Sequence, residues 1–277
     1  MVSDALKTTL FILTLLCSTA LADDFELRTL NNEMVELRSQ GDFGKALELA
    51  KKALAMTEQM YPGNHMATAQ ALNNLAVIYK DMGRYEEAIP LYQRSLAMRE
   101  TLLGLNDPSV ATVLNNLAVV YARMGNYDDA VRYADRAVDI LKLSRAQRDV
   151  ALATSNLAEI YKQQHRYDDA EKHYTESLNM LVDLRGKTHT DVAISLSNLG
   201  QLYLVQGRLK EAEPLFLESI AIFKQTLGAS HSRVRRLYLT MSRLYEKLGE
   251  LEKSEEYLGY VDKWLQTTGN QTNQENR

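Results

Sequence analysis

An asparagine recurs at one position of this chain four times, as Asn74, Asn116, Asn156 and Asn198, at separations of 42, 40 and 42 residues. A carboxamide carries two donor hydrogens and an acceptor oxygen. A row of carboxamides therefore matches successive peptide bonds of an extended chain without demanding one sequence. Asn32 holds the same position in an earlier segment and Thr240 in a later one. Farther along the same segments stand the cations Lys80, Arg123, Lys162 and Arg243, which are placed to meet an acidic ligand. Asp81 and Glu159 interrupt them, so no uniformly positive groove follows. A competing role for the asparagines is to bond the neighbouring segment and set how the segments stack.

Other reactive side chains repeat without converging. His65, His189 and His231 share one position, which Asp107 holds in a further segment. Zinc needs three or four convergent ligands, whereas these come one per segment, each ahead of a helix, where a cap is needed. The pairs Asp128-Asp129 and Asp168-Asp169 open helices, where carboxylates complement the helix dipole. The chain has no glycine-rich phosphate loop, no His-Glu-x-x-His and no Gly-x-Ser-x-Gly. The expectation is a binding protein, with no enzyme activity, no cofactor and no metal.

The elements that position the asparagines repeat with them. Leu75-Ala76-x-x-Tyr79 recurs as Leu117-Ala118-x-x-Tyr121, Leu157-Ala158-x-x-Tyr161 and Leu199-Gly200-x-x-Tyr203. Gly83, Gly125, His165 and Gly207 follow, and then Ala88, Ala130, Ala170 and Ala212. Within each segment the apolar residues fall at i, i+3, i+4 and i+7, one face of a helix. Tyr79, Tyr121, Met82 and Met124 are expected among these packing residues. Each segment reads as two antiparallel helices around a glycine turn, and a fixed period of this length means a solenoid. Weaker copies at both ends bring the number to about six hairpins, over 24–64, 65–106, 107–146, 147–188, 189–230 and 231–267. The link at 143–148 is two residues short. The polar tail, 268–277, is expected to be disordered.

This pattern resembles the tetratricopeptide repeat (TPR). The 42-residue length, Leu72-Asn73-Asn74-Leu75-Ala76 and Leu103-Gly104-x-x-Asp107-Pro108 are similar to the kinesin-light-chain type. The resemblance implies an all-α, alpha-alpha superhelix whose first helices line a concave face. It also implies that the asparagines hold the backbone or terminal carboxylate of a bound protein or extended peptide. His165 in place of a turn glycine and Glu33 in place of a leucine depart from the pattern.

A net charge of -4 gives no case for nucleic acid. The N-terminus reads as an export signal. Lys7 precedes an apolar run from Leu10 to Leu16, and Ala20-Leu21-Ala22 offers the small-x-small pattern of a cleavage site. The run is too short for stable membrane insertion. Cleavage after Ala22 would leave a secreted or periplasmic chain, 23–267 plus tail. Such a chain lacks cysteine, since the only one is Cys17. A lipidated cysteine wants a small residue before it, and Leu16 stands there. Self-association through the terminal hairpins and Trp264 is the alternative to peptide binding, ahead of a regulatory subunit of an enzyme.

Overall fold

The computed structural model describes residues 24–275, with side chains to 266; the export signal and Cys17 lie outside the described residues. All regular structure described is helical. Helix α1 covers 24–40, and α2 to α12 follow as Phe43–Met60, Met66–Asp81, Tyr85–Leu103, Pro108–Arg123, Tyr127–Leu143, Gln147–Gln163, Tyr167–Arg185, Thr190–Val205, Leu209–Leu227, Ser232–Leu248 and Leu251–Glu275. The chain divides after Asn126 into two compact units, α1–α5 and α6–α12. Within each unit consecutive helices pack antiparallel in hairpins, and the hairpins stack on one another as in an α–α superhelix. None of the described helices is long and apolar enough to cross a membrane.

Side chains build the starts of four first helices, α3, α5, α9 and α11. The Nδ1 atoms of His65, His189 and His231 accept from the backbone N–H two residues on, at 3.2, 3.1 and 3.2 Å. The Asp107 carboxylate does the same to Ser109 at 2.8 Å, ahead of Pro108. The repeating histidines are thus helix caps. Among the described residues no group of three or more His, Cys, Asp or Glu could hold a metal ion.

The turns inside the hairpins close alike. In the first full one, Arg84 N–H bonds the Tyr79 carbonyl at 2.9 Å while Gly83 sits at φ 74°. Asn126, Arg166, Arg208 and Glu250 repeat that bond to Tyr121, Tyr161, Tyr203 and Tyr245. This geometry needs a left-handed residue. His165 therefore takes φ 60°, where its Cβ is strained. Met82 and Met124 sit at the helix C-caps and are exposed, a correction to their expected place in the core. The apolar stripe ends one turn before them, which leaves both at the surface.

Cores form where small residues let helices approach. Ala88, Ala130, Ala170 and Ala212 are fully buried. In three hairpins a buried serine of the second helix donates to a carbonyl of the first. Ser95 reaches Ala69, Ser177 reaches Ala151 and Ser219 reaches Ala193, each at 2.7 Å. At Gly200 an added Cβ would lie 2.9 Å from the Phe216 ring. Glycine there accommodates the bulkier neighbour.

Helix α12 continues to Glu275, so the backbone keeps its helical course beyond residue 267, where the sequence suggested an end to order. No proline interrupts it, and a running helix adds one bond per residue fixed.

Replacing His165 by Gly should stabilise the protein. Relief of the left-handed strain is worth about 1–2 kcal/mol, and the extra freedom of unfolded glycine returns about 0.4–1. The exposed contact from His165 Nδ1 to the Tyr167 hydroxyl, 2.8 Å, adds little. A rise of about 0.5–1 kcal/mol in thermal or denaturant unfolding is expected. A lower melting point would show that the imidazole contributes more than its strain costs.

Candidate functional site

The asparagine row is engaged between hairpins, but differently in the two units. In unit 1, Asn74 Nδ2 donates to Asn31 Oδ1 at 3.1 Å, and Asn116 Nδ2 donates to Asn73 Oδ1 at 3.2 Å. In unit 2, Asn198 Nδ2 donates to Ser155 Oγ at 3.4 Å. Each bond runs back 43 residues, to the residue just before the repeat-equivalent asparagine or its substitute. Asn74, Asn116 and Asn198 are half-buried, and Asn156 is exposed.

Asn74 belongs to a longer chain that starts in the core. Arg99 Nη2 donates to Gln70 Oε1 at 2.7 Å, and Gln70 Nε2 donates to Asn74 Oδ1 at 2.8 Å. Asn31 Nδ2 then donates to the Leu27 carbonyl at 2.9 Å. All four bonds point the same way, from the guanidinium outward. They polarise one another and leave the Asn74 amide little to offer a ligand.

Arg99 is 4% exposed, and burial lowers its pKa, opposed in part by the charge of Asp107. Its position is held by Leu141, Leu181 and Phe223 in later hairpins. An arginine breaking a column of apolar residues was a visible signal that reading each segment alone missed.

The expected cations divide by burial. Lys80 is largely enclosed: burial lowers its pKa, and it lies 3.7 Å from Asp81, which also takes Arg38 at 2.6 Å. Lys162 pairs with Glu159 at 2.6 Å. Glu159 accepts from the Tyr174 hydroxyl as well, at 2.6 Å. Burial pushes the Glu159 pKa up, but those two bonds outweigh it and hold the carboxyl below its ordinary value. Arg123 and Arg243 are exposed.

A crevice of about 210 Å³ lies in unit 2 between the first helices α9 and α11, over the ring of Phe223. Asn198, Ser197 and Gln201 form one wall, and Arg233, Arg236 and Thr240 the other. Both arginines are exposed. The Arg233 guanidinium lies 5.7 Å from the Phe223 ring centroid, and among the described residues no carboxylate pairs with either arginine. This is where cationic donors, carboxamides and an apolar floor meet. Of the row read from the sequence it contains Asn198 and the Thr240 that takes the asparagine position in the last hairpin. Arg233 and Arg236 went unnoticed because they stand in the first two turns of their helix rather than near its end.

The tetratricopeptide-repeat model matches residues 26–101, 67–142, 149–225 and 197–259, so the chain belongs to the tetratricopeptide-repeat family. The repeats are a scaffold typical of protein-binding adaptors and generally without enzymatic activity. Among solved structures the chain is similar to BtubC (BKLC) from P. vanneervenii, with TM-score 0.69 and 22% identity, over 82% of this chain and 92% of that one. It is also similar to a kinesin-light-chain-like protein of Podosopora anserina with nearly identical TPR-like repeats (TM-score 0.61, 21% identity, 72% and 96% covered). A third likeness is to Pseudomonas aeruginosa PilF (TM-score 0.56, 17% identity, 92% and 100% covered). These likenesses show the fold. No curated protein matches the sequence.

Arg99 generates a stability prediction. Arg99→Leu restores the residue of two other hairpins and removes a buried charge, so stability should hold or rise. Arg99→Ala leaves a cavity and should cost about 2–3 kcal/mol. Denaturant unfolding distinguishes the two. Equal losses in both variants would mean that the guanidinium itself holds α3 and α4 together.

Proposed function

We propose that the protein is an exported adaptor that holds an extended, acidic stretch of a partner protein along the first-helix face of its hairpins. The observation that carries this reading is the α9–α11 crevice. It presents two exposed arginines, with no carboxylate partner among the described residues, beside the carboxamides of Asn198 and Gln201. A guanidinium grips a carboxylate bidentately, and an amide pairs with a backbone peptide group. Phe223 supplies an apolar floor for an intervening side chain. Asn156, exposed on α7, extends the same row within unit 2. Asn74 and Asn116 serve chiefly to fix the stacking of unit 1, which their hydrogen bonds support.

The test uses fluorescent peptide pools of random sequence, one carrying a central pair of glutamates and its counterpart a pair of glutamines. The glutamate pool should bind more tightly. Arg233→Glu with Arg236→Glu should weaken it by roughly tenfold to a hundredfold, about 1.4–3 kcal/mol. Both positions are exposed, so the melting temperature should not move. Equal binding of the two pools, or wild-type binding by the double variant, would sink the reading.

Export rests on Lys7, the apolar run from Leu10 to Leu16 and Ala20-Leu21-Ala22. The protein is then secreted or periplasmic. N-terminal sequencing of protein from the extracytoplasmic fraction should begin at Asp23. Intact Met1 on protein confined to the cytosol would refute it.

A further inference from the structure

The last hairpin ends in an apolar face that the repeat pattern normally covers. Leu258 and Leu265 of α12 stand 42 residues after Phe216 and Phe223 of α10. Those phenylalanines are 1% and 2% exposed, buried with Leu237, Met241 and Leu244 of the following helix α11. No helix follows α12 among the described residues, and Leu258 and Leu265 are 44% and 50% exposed. Leu251 adds a third exposed leucine, at 62%. The three are spaced by seven, the period of a helix seam built to meet another helix. Beside them runs a groove of about 430 Å³, with Leu239, Arg243 and Glu246 on the α11 wall and Leu251, Glu255 and Leu258 on the α12 wall. Terminal repeats need a polar outer face for solubility, and this one has kept the apolar positions of an internal repeat.

The opposite end does not offer the complement. In α1 the positions that match Val234, Met241 and Leu244 of α11 are Glu26, Glu33 and Glu36, all exposed. Head-to-tail stacking would lay these glutamates on Leu258 and Leu265 and bury their charges unpaired. The occupant must bring apolar groups at heptad spacing and charges opposite to those of the groove. The same face of a second copy brings both. An antiparallel α12–α12 pair across a two-fold axis sets Leu258 against its own counterpart and Leu251 against the partner's Leu265. Arg243, exposed and without an ion pair among the described residues, then meets Glu255 on the partner's α12. A patch that is apolar along its centre and carries both charges is self-complementary, as a two-fold interface requires.

We infer that the protein forms a two-fold dimer through the Leu251–Leu258–Leu265 stripe and the groove it shares with Arg243 and Glu255. Trp264 takes no part in the docking. Its indole N–H donates to the Ser230 carbonyl at 2.7 Å, and its ring lies 4.9 Å from the Arg235 guanidinium, so it ties α12 to the start of its own hairpin. Three leucines and one charge pair per copy form a small patch, at the low end of the roughly 1,200–2,000 Å² of stable interfaces. A reversible equilibrium is therefore expected.

Sedimentation or light scattering of the purified protein should show dimer growing over a roughly hundredfold rise in concentration, enough to carry a weak association from mostly free to largely paired. Leu258→Glu, at an exposed position, should give monomer with an unchanged melting curve. Arg243→Glu should weaken the dimer, and adding Glu255→Arg to it should restore pairing. A wild-type chain that stays monomeric throughout overturns the inference and leaves the groove to a helix of another protein. A dimer that survives Leu258→Glu also overturns it, as does a charge swap that rescues nothing.

Discussion

Close approach of helices at small, fully buried residues is the constraint on which the rest depends. Ala88, Ala130, Ala170 and Ala212 have no exposed surface, and the alanines of the first-helix motif, Ala76, Ala118 and Ala158, have 1% at most. Only at such short separation can a serine hydroxyl of one helix reach a carbonyl of the next, as Ser95, Ser177 and Ser219 do. Each of these bonds satisfies a polar group that would otherwise be costly to bury. They fix the rotation of the second helix about its axis, and with it the direction in which each first helix presents its other face. In the last hairpin the two small positions are Ser242 and Ser254, which bond each other at 2.9 Å. Crowding is relieved locally where a ring enlarges one side, as Gly200 does for Phe216.

Much of this architecture was legible in the sequence because it follows from period and residue size. The Leu-Ala-x-x-Tyr motif, the turn glycines and the small residues specify helix, turn, helix and a short crossing distance, and each does so locally. Even the departure at His165 was visible, and the backbone there adopts the left-handed conformation the turn needs. Met82 and Met124 were misplaced for a physical reason. A periodic apolar pattern does not say where its helix stops having a neighbour, and both residues lie just past that point.

The candidate site was less legible, because a hydrogen bond between hairpins depends on which side chain lies 43 residues away rather than on the asparagine itself. Asn74 faces Asn31 and Gln70, so its amide is consumed in a chain that starts at the buried Arg99. Asn198 faces only the Ser155 hydroxyl, at 3.4 Å, and spends one donor on a long bond. The same residue at the same repeat position is thus structural in one unit and available in the other. Its column neighbour decides the matter: Arg99 where a polar chain fills the space, Phe223 where an open crevice keeps an apolar floor.

The two ends of the chain obey the same logic with opposite outcomes. A repeat is stable because its neighbours cover its apolar face, so each terminal repeat must either change its residues or acquire a cover. The first hairpin has changed them. Glutamates replace the apolar positions of α1, and Glu26 is further held by Lys52 at 2.7 Å. The last hairpin has not, and Leu251, Leu258 and Leu265 keep the apolar pattern of an internal repeat while exposed. The cost of exposing these side chains, up to about 1.5–3 kcal/mol each relative to full burial, is what a docked helix would recover. An acidic first face and an apolar last face cannot stack in series. Self-association through the last face therefore pairs it with its own copy, and such an assembly closes at two copies instead of growing into a filament.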